Sequence, residues 1–158
     1  MGMWSIGTSS VEETRALGKA LGACADVGTV VALVGELGAG KTCFCQGVGA
    51  GLGILQPVLS PTFVLIAEYP GGRLPLLHAD NYRLRPGEEE GIGLEERLEQ
   101  WPGVALVEWA DRFDQLLPED HLRVVIAHAG VDRTVSVRGT GPKHAALLDT
   151  WRCAVFAE

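Results

Sequence analysis

The chain has 158 residues, 47% of them hydrophobic, with a mean hydropathy of +0.17. That suits one core-forming domain, 1–158, and leaves little room for a second substrate domain. The formal charge of 13 − 20 = −7 disfavours a surface that itself grips a nucleic-acid backbone, because phosphate neutralisation supplies most of that affinity. No apolar stretch approaches the roughly 18 to 20 residues of a membrane span. The N-terminus MGMWSIGTSS lacks the basic flank and apolar core of a signal peptide, and also a myristoylation pattern, so the expected location is cytoplasmic, with no membrane partner.

In chain order, Ser9 and Ser10 precede VEETRALGKALGACAD, where Ser10 and Glu13 form a capping-box pattern and Leu17, Ala20, Leu21 and Cys24 recur at helical spacing. Thr29 to Val34 is an unbroken β-branched and apolar run of the kind buried in a central sheet. It leads directly into GELGAGKT, after which Phe44, Val48 and Leu52 mark one face of a helix that Gly47, Gly49 and Gly51 weaken. FVLIAEY and LPLLHA, joined by PGGR, read as a hairpin. The acidic stretch PGEEEGIGLEERLEQ is helical towards its end, and VALVEW is a second buried strand. HLRVVIAHAGVDRTVSVR reads as two strands around a turn at 129–132, and HAALLDTWRCAV as a closing helix. These elements predict an α/β sheet carrying antiparallel additions. The four cysteines, Cys24, Cys43, Cys45 and Cys153, show no CxxC pair and no histidine at zinc spacing, so they read as reduced thiols, with Cys43 and Cys45 on different sides of their helix.

GELGAGKT fits G-x-x-x-x-G-K-[ST], a phosphate-binding loop. Glycines let the backbone wrap closely around phosphates, so that successive N–H groups and the positive end of the following helix face the negative charge. Lys41 would reach the β- and γ-phosphates, and the Thr42 hydroxyl would coordinate magnesium. Such a loop needs an acidic partner at the end of a neighbouring strand. Two candidates follow apolar runs: Asp80 after LPLLHA and Glu108 within VALVEW. SPTF, residues 60–63, offers a loop threonine, Thr62, of the type that contacts a γ-phosphate in nucleotide switches; a serine-proline turn is an equal reading.

GELGAGKT, SPTF, HADNYRL and VEWADR, in this order, resemble the motifs of the TsaE (YjeE) family, small bacterial ATPases required for threonylcarbamoyladenosine modification of tRNA. The resemblance runs through almost the whole chain. It implies a three-layer α/β P-loop fold with a mixed, mainly parallel sheet, ATP and magnesium as cofactors, and slow hydrolysis. It also implies action on a complex of the partner proteins TsaD and TsaB, which would hold the tRNA.

On that resemblance the nucleotide is held by Gly35, Glu36, Leu37, Gly38, Ala39, Gly40, Lys41, Thr42 and Cys43, with Thr62 at a switch-like position. Thr42 and Glu108 are the metal residues, and Lys41, Asp80 and Glu108 the catalytic set; either acid could serve the metal or the attacking water. Ser10 and Arg133 are further nucleotide-side candidates, set against plainer readings as a helix cap and an exposed turn arginine. Trp109 reads equally as a cover for the site and as packing, and Arg83 and Arg85 as charge stabilisers or a partner-facing pair. Glu36, Cys43, Ala79 and Asn81 depart from the family pattern without removing a phosphate or metal group. A small-molecule kinase would share the loop, but the inserted segment is acidic where a kinase lid carries arginines. A GTPase would need an N-K-x-D motif, which the chain lacks. A nucleotide-gated binding module with incidental hydrolysis is compatible with the motifs.

Overall fold

Apolar β-branched runs supply the strands and amphipathic segments the helices. A computed structural model describes residues 3–36, 38–59, 66–80, 93–108 and 114–156. The strands are β1 (Met3–Thr8), β2 (Val30–Gly35), β3 (Ile66–Tyr69), β4 (Leu76–Asp80), β5 (Val104–Glu108), β6 (Leu122–Ala129) and β7 (Asp132–Gly139). The helices are α1 (Val11–Cys24), α2 (Lys41–Gly51), α3 (Leu94–Gln100) and α4 (Pro142–Phe156), with a short 3-10 turn at Asp114–Leu116. One seven-stranded sheet runs in the order β1-β7-β6-β2-β5-β4-β3. The four middle strands, β6, β2, β5 and β4, are parallel, and antiparallel strands flank them on both sides.

β2 is central because both of its faces are apolar. Val31 and Leu33 pack with Phe44, Val48, Leu21 and Trp151 from α2, α1 and α4. Val30 and Ala32 face the other way, towards Leu94 and Leu98 of α3. The sheet is thus the middle of three layers. β1 was not legible in the sequence: MWSIGT alternates exposed and half-buried residues and pairs antiparallel with β7. Trp4 ties it down, with its ring 4.9 Å from that of Trp151 and its Nε1 donating to Leu148 O at 3.2 Å.

The predicted capping box forms with a shift of one residue. Ser10 Oγ accepts from the Glu13 N–H at 3.1 Å, while the Glu13 carboxylate reaches back to the backbone and hydroxyl of Ser9, both at 3.0 Å. At the other end of α1, Arg73 from the PGGR hairpin donates to Gly22 O at 2.9 Å and Ala25 O at 2.7 Å, satisfying carbonyls that the helix leaves unpaired.

The α2 glycines, a weakness by propensity, are what lets α1 and α2 meet. A Cβ on Gly47 would fall within 3.0 Å of Arg15 O, and one on Gly51 within 3.0 Å of Lys19 O. Reciprocally, Gly18 and Gly22 of α1 lie against the carbonyls of Phe44 and Val48. The two backbones touch, and α2, with the loop before it, is fixed against α1.

His144 joins α4 to β2. Its Nε2 accepts from the Val30 N–H at 3.0 Å and its Nδ1 donates to Asp120 at 2.8 Å. Asp120 also accepts from the Lys143 and His144 N–H groups, at 2.8 and 3.1 Å. Burial holds His144 below its ordinary pKa, against the pull of Asp120, with Lys143 and His121 adding to the depression. For Asp120, desolvation pushes upward, but the hydrogen bonds from Lys143 and His144 outweigh it and the carboxyl ends below its ordinary value.

Two outcomes follow. Gly→Ala in an open helix stabilises by about 1 kcal/mol, but Gly47→Ala here forces overpacking and should destabilise by about 1–3 kcal/mol, read as a lower denaturant midpoint. Both depressed groups contribute stability above their unfolded pKa values. As pH falls through about 6.5 the unfolded chain takes up a proton that His144 refuses, and the Asp120 contribution is lost below the ordinary carboxylate range. The melting temperature should fall on acidification from pH 7, and less steeply in His144→Gln.

Candidate functional site

The loop begins where β2 ends. Gly35 has to be glycine because β6 runs alongside: a Cβ there would lie 2.6 Å from Ile126 O. Gly38 and Gly40 have φ of +78° and +109°, in the left-handed region, and Gly40 is the N-cap of α2. Ala39 is buried and its N–H donates to Glu36 O at 3.1 Å; Leu37 lies outside the described residues. Glu36 and Gly38 are exposed.

Lys41 opens α2 and is 6% exposed, with its Nζ donating to Gly35 O at 2.7 Å. The ammonium is therefore folded back along the loop, not extended into solvent. Thr42 follows in the first turn, where helical N–H groups have no partner within the helix. A helix N-terminus of this kind, with a buried ammonium beside it, is suited to an anion.

The two acids stand next to β2 on the β5 side. In register, Leu33 of β2 faces Glu108 of β5, and Glu108 faces Asp80 of β4. Asp80 and Glu108 thus sit side by side at the ends of β4 and β5, while β2 runs on past Leu33 to Gly35 before the loop begins. Glu108 is 3% exposed and Asp80 half-buried. Alternation along β4 puts His78 on the same face as Asp80, and His78 Nε2 lies 2.6 Å from Glu108 Oε2. Cys45 of α2 completes this buried group: ligand atoms of Cys45, His78 and Glu108 lie within 4.8 Å of one another. Burial, and after it the charge of Glu108, push the Cys45 thiol well above its ordinary pKa, Lys41 acting in the opposite sense. All four described cysteines are free.

Arg133 corrects the sequence reading. It is not an exposed turn residue but half-buried within β7, and it holds the loop. Its Nε donates to Ala39 O and its Nη2 to Gly38 O, both at 3.1 Å. Because C=O and N–H of a trans peptide point opposite ways, gripping these carbonyls turns the Ala39 and Gly40 N–H groups away from Arg133.

Beside the loop on this side is a cavity of about 330 Å³ whose lining includes Ser10, Thr14, Gly40, Cys43, Val131 and Arg133. Ser10 therefore both caps α1 and faces the space next to the loop. The acids do not line this cavity. The predicted residues fall into two groups on either side of the loop, with Lys41, Asp80 and Glu108 on one and Ser10, Cys43 and Arg133 on the other. Thr62, Trp109, Arg83 and Arg85 lie outside the described residues.

The donors fit the expected ligands. Glu108 and Thr42 offer the oxygen atoms that a hard divalent cation takes, and the loop offers glycines, a buried lysine and a helix N-terminus to a phosphate chain. Sequence reasoning missed His78, Cys45 and Thr14. The His-x-Asp spacing of HAD could have flagged His78, since alternate strand residues share a face.

Comparison with known proteins converges on one family. A family model described as "Threonylcarbamoyl adenosine biosynthesis protein TsaE" matches residues 8–135. The Bacillus subtilis protein named "tRNA threonylcarbamoyladenosine biosynthesis protein TsaE" is 44% identical over 143 residues, covering 90% of this chain and 89% of its own. A Streptomyces coelicolor protein of the same name is 41% identical over 138 residues, covering 83% and 93%. Among solved structures, the crystal structure of Bacillus subtilis YdiB superposes with a TM-score of 0.82 at 36% identity, covering 95% of this chain and 94% of that one. With a P-loop at the head of α2 in a mixed α/β sheet, and with these relatives along nearly its full length, the chain belongs to the TsaE family.

Proposed function

We propose that this protein binds ATP with magnesium at the Gly35–Thr42 loop, hydrolyses it slowly, and serves threonylcarbamoyladenosine modification of tRNA by acting on a complex of TsaD and TsaB. The observation that carries the nucleotide half is the register of β2, β5 and β4, which sets Glu108 and Asp80 at adjacent strand ends next to the strand that feeds a glycine loop with Lys41 buried at its base. The tRNA half rests on the names of relatives matched along most of the chain. The −7 charge supports leaving tRNA to the partners.

In this reading the Lys41 ammonium leaves Gly35 O for the β- and γ-phosphates, and the first-turn N–H groups of α2 hold the same oxygens. Thr42 and Glu108 would hold the magnesium, which would supply charge neutralisation to the phosphates. Asp80, at the more open strand end, orients the attacking water. Arg133 keeps the loop carbonyls turned away from the phosphates, and the cavity beside it takes the nucleoside. Thr62 and Trp109 are assigned to the nucleotide-dependent contact with the partners. A protein of this kind works as a switch or reset factor, with its second substrate a protein complex; no described helix is long and apolar enough to cross a membrane.

Lys41→Ala removes a charge-assisted contact of about 1.5–3 kcal/mol and should weaken ATP binding by about 10- to 100-fold in calorimetry; unchanged affinity would reject the loop as the phosphate site. Asp80→Ala and Glu108→Gln should each lower kcat by about 100-fold while leaving KM for ATP within about threefold. Arg133→Ala should weaken ATP binding by about tenfold, because one charged group holds two loop carbonyls. The tRNA role is tested by reconstituting the protein with TsaD, TsaB, tRNA and threonylcarbamoyl-adenylate. Modification that stops after one turnover with a non-hydrolysable ATP analogue is expected, and sustained turnover with the analogue would reject the reset role.

A further inference from the structure

Nothing in nucleotide binding by itself calls for the imidazole buried against Glu108. His78 is 0% exposed and stands on β4, whose ladder with β5 sets His78 opposite Leu106 and Asp80 opposite Glu108. Its Nε2 approaches Glu108 Oε2 to 2.6 Å, within hydrogen-bond distance. Its Nδ1 is buried and has no hydrogen-bond partner among the described residues. An ionised carboxylate can only accept, so the donor in this contact is Nε2, and among the described residues the buried Nδ1 is left without a match. A residue kept only to fill the core would not carry that cost, since leucine occupies similar space with no polar atom.

The geometry points to His78 as the positioning residue of Glu108, its Nε2–H fixing the plane of the carboxylate that serves the metal; this rests on the ATPase reading above. A glutamate turns about three side-chain torsions, and a metal-associated carboxylate has to be held within roughly 0.5 Å and 10–20° to be useful. Hydrogen bonds from a neighbouring side chain are the usual means of holding it. The backbone of β4 supplies the anchor, and the same strand carries Asp80 two residues on, so one strand sets both acids. Cys45 of α2, buried beside the pair, has its sulfur within 4.8 Å of the His78 and Glu108 ligand atoms. Its part is to close the group off from water.

Two variants of the full chain separate the donor from the volume: His78→Leu removes the N–H, and His78→Gln keeps an N–H that can reach Glu108. We expect His78→Leu to lower kcat by about 10- to 100-fold, to raise the magnesium concentration needed for half-maximal hydrolysis, and to leave the ATP Kd within about threefold. His78→Gln should recover kcat and magnesium dependence to within about threefold of the parent. Should the leucine variant fail to fold, as judged by thermal melting, His78→Asn takes its place, having a side chain one bond shorter and out of reach of Oε2. Equal impairment of the donor-keeping and donor-lacking variants, or an unaltered donor-lacking variant in an active protein, overturns the inference alone. A parent protein that binds and hydrolyses no ATP overturns the functional reading and this inference with it.

Discussion

Everything at the site depends on β2 being buried on both faces and paired in parallel on both edges. With β5 on one edge and β6 on the other, its carboxyl end cannot move independently of theirs. A loop leaving such a strand starts from a fixed point and in a fixed direction, and Gly35, pressed against Ile126 O, has no room to do otherwise. The crevice outside the carboxyl ends of parallel strands is where open α/β sheets bind ligands, and here two of the neighbouring ends carry carboxylates.

The helix after the loop is fixed by a different device. α2 is glycine-rich, and by propensity alone it would be a poor helix. Its stability comes from its packing against α1, where Gly18 and Gly22 meet Gly47 and Gly51 and the backbones come into contact. That contact also explains why α1, remote in sequence from the phosphate loop, contributes Ser10 and Thr14 to the cavity beside it. The Arg73 guanidinium on the far end of α1 and the Trp4 and Trp151 rings brace the same helical layer.

The loop is gripped from both sides by cationic side chains that donate to its carbonyls. On one side Arg133 holds the carbonyls of Gly38 and Ala39, and on the other Lys41 lies along the base of the loop with a hydrogen bond to Gly35 O. Beyond Lys41 is a buried polar group in which Glu108 is hydrogen-bonded to His78 and Cys45 stays protonated. An unpaired buried carboxylate would be expensive, so the imidazole matters to stability as well as to orientation.

The sequence by itself determined the phosphate loop, its strand and helix, the two acids and most of the sheet, because each is a local pattern: an apolar run, a glycine spacing, a carboxylate at the end of a strand. It left Arg133 open between a nucleotide-side role and an exposed turn, took the α2 glycines only as a weakness, and passed over β1, His78 and Cys45, whose meaning lies in partners far along the chain. Arg133 acts on residues 94 and 95 positions away, and His78 on one 30 positions away. Only the tertiary structure brings such groups within hydrogen-bond distance, since strand order and helix packing are set by burial of the whole core, and one-dimensional spacing carries no record of which strand ends up beside which.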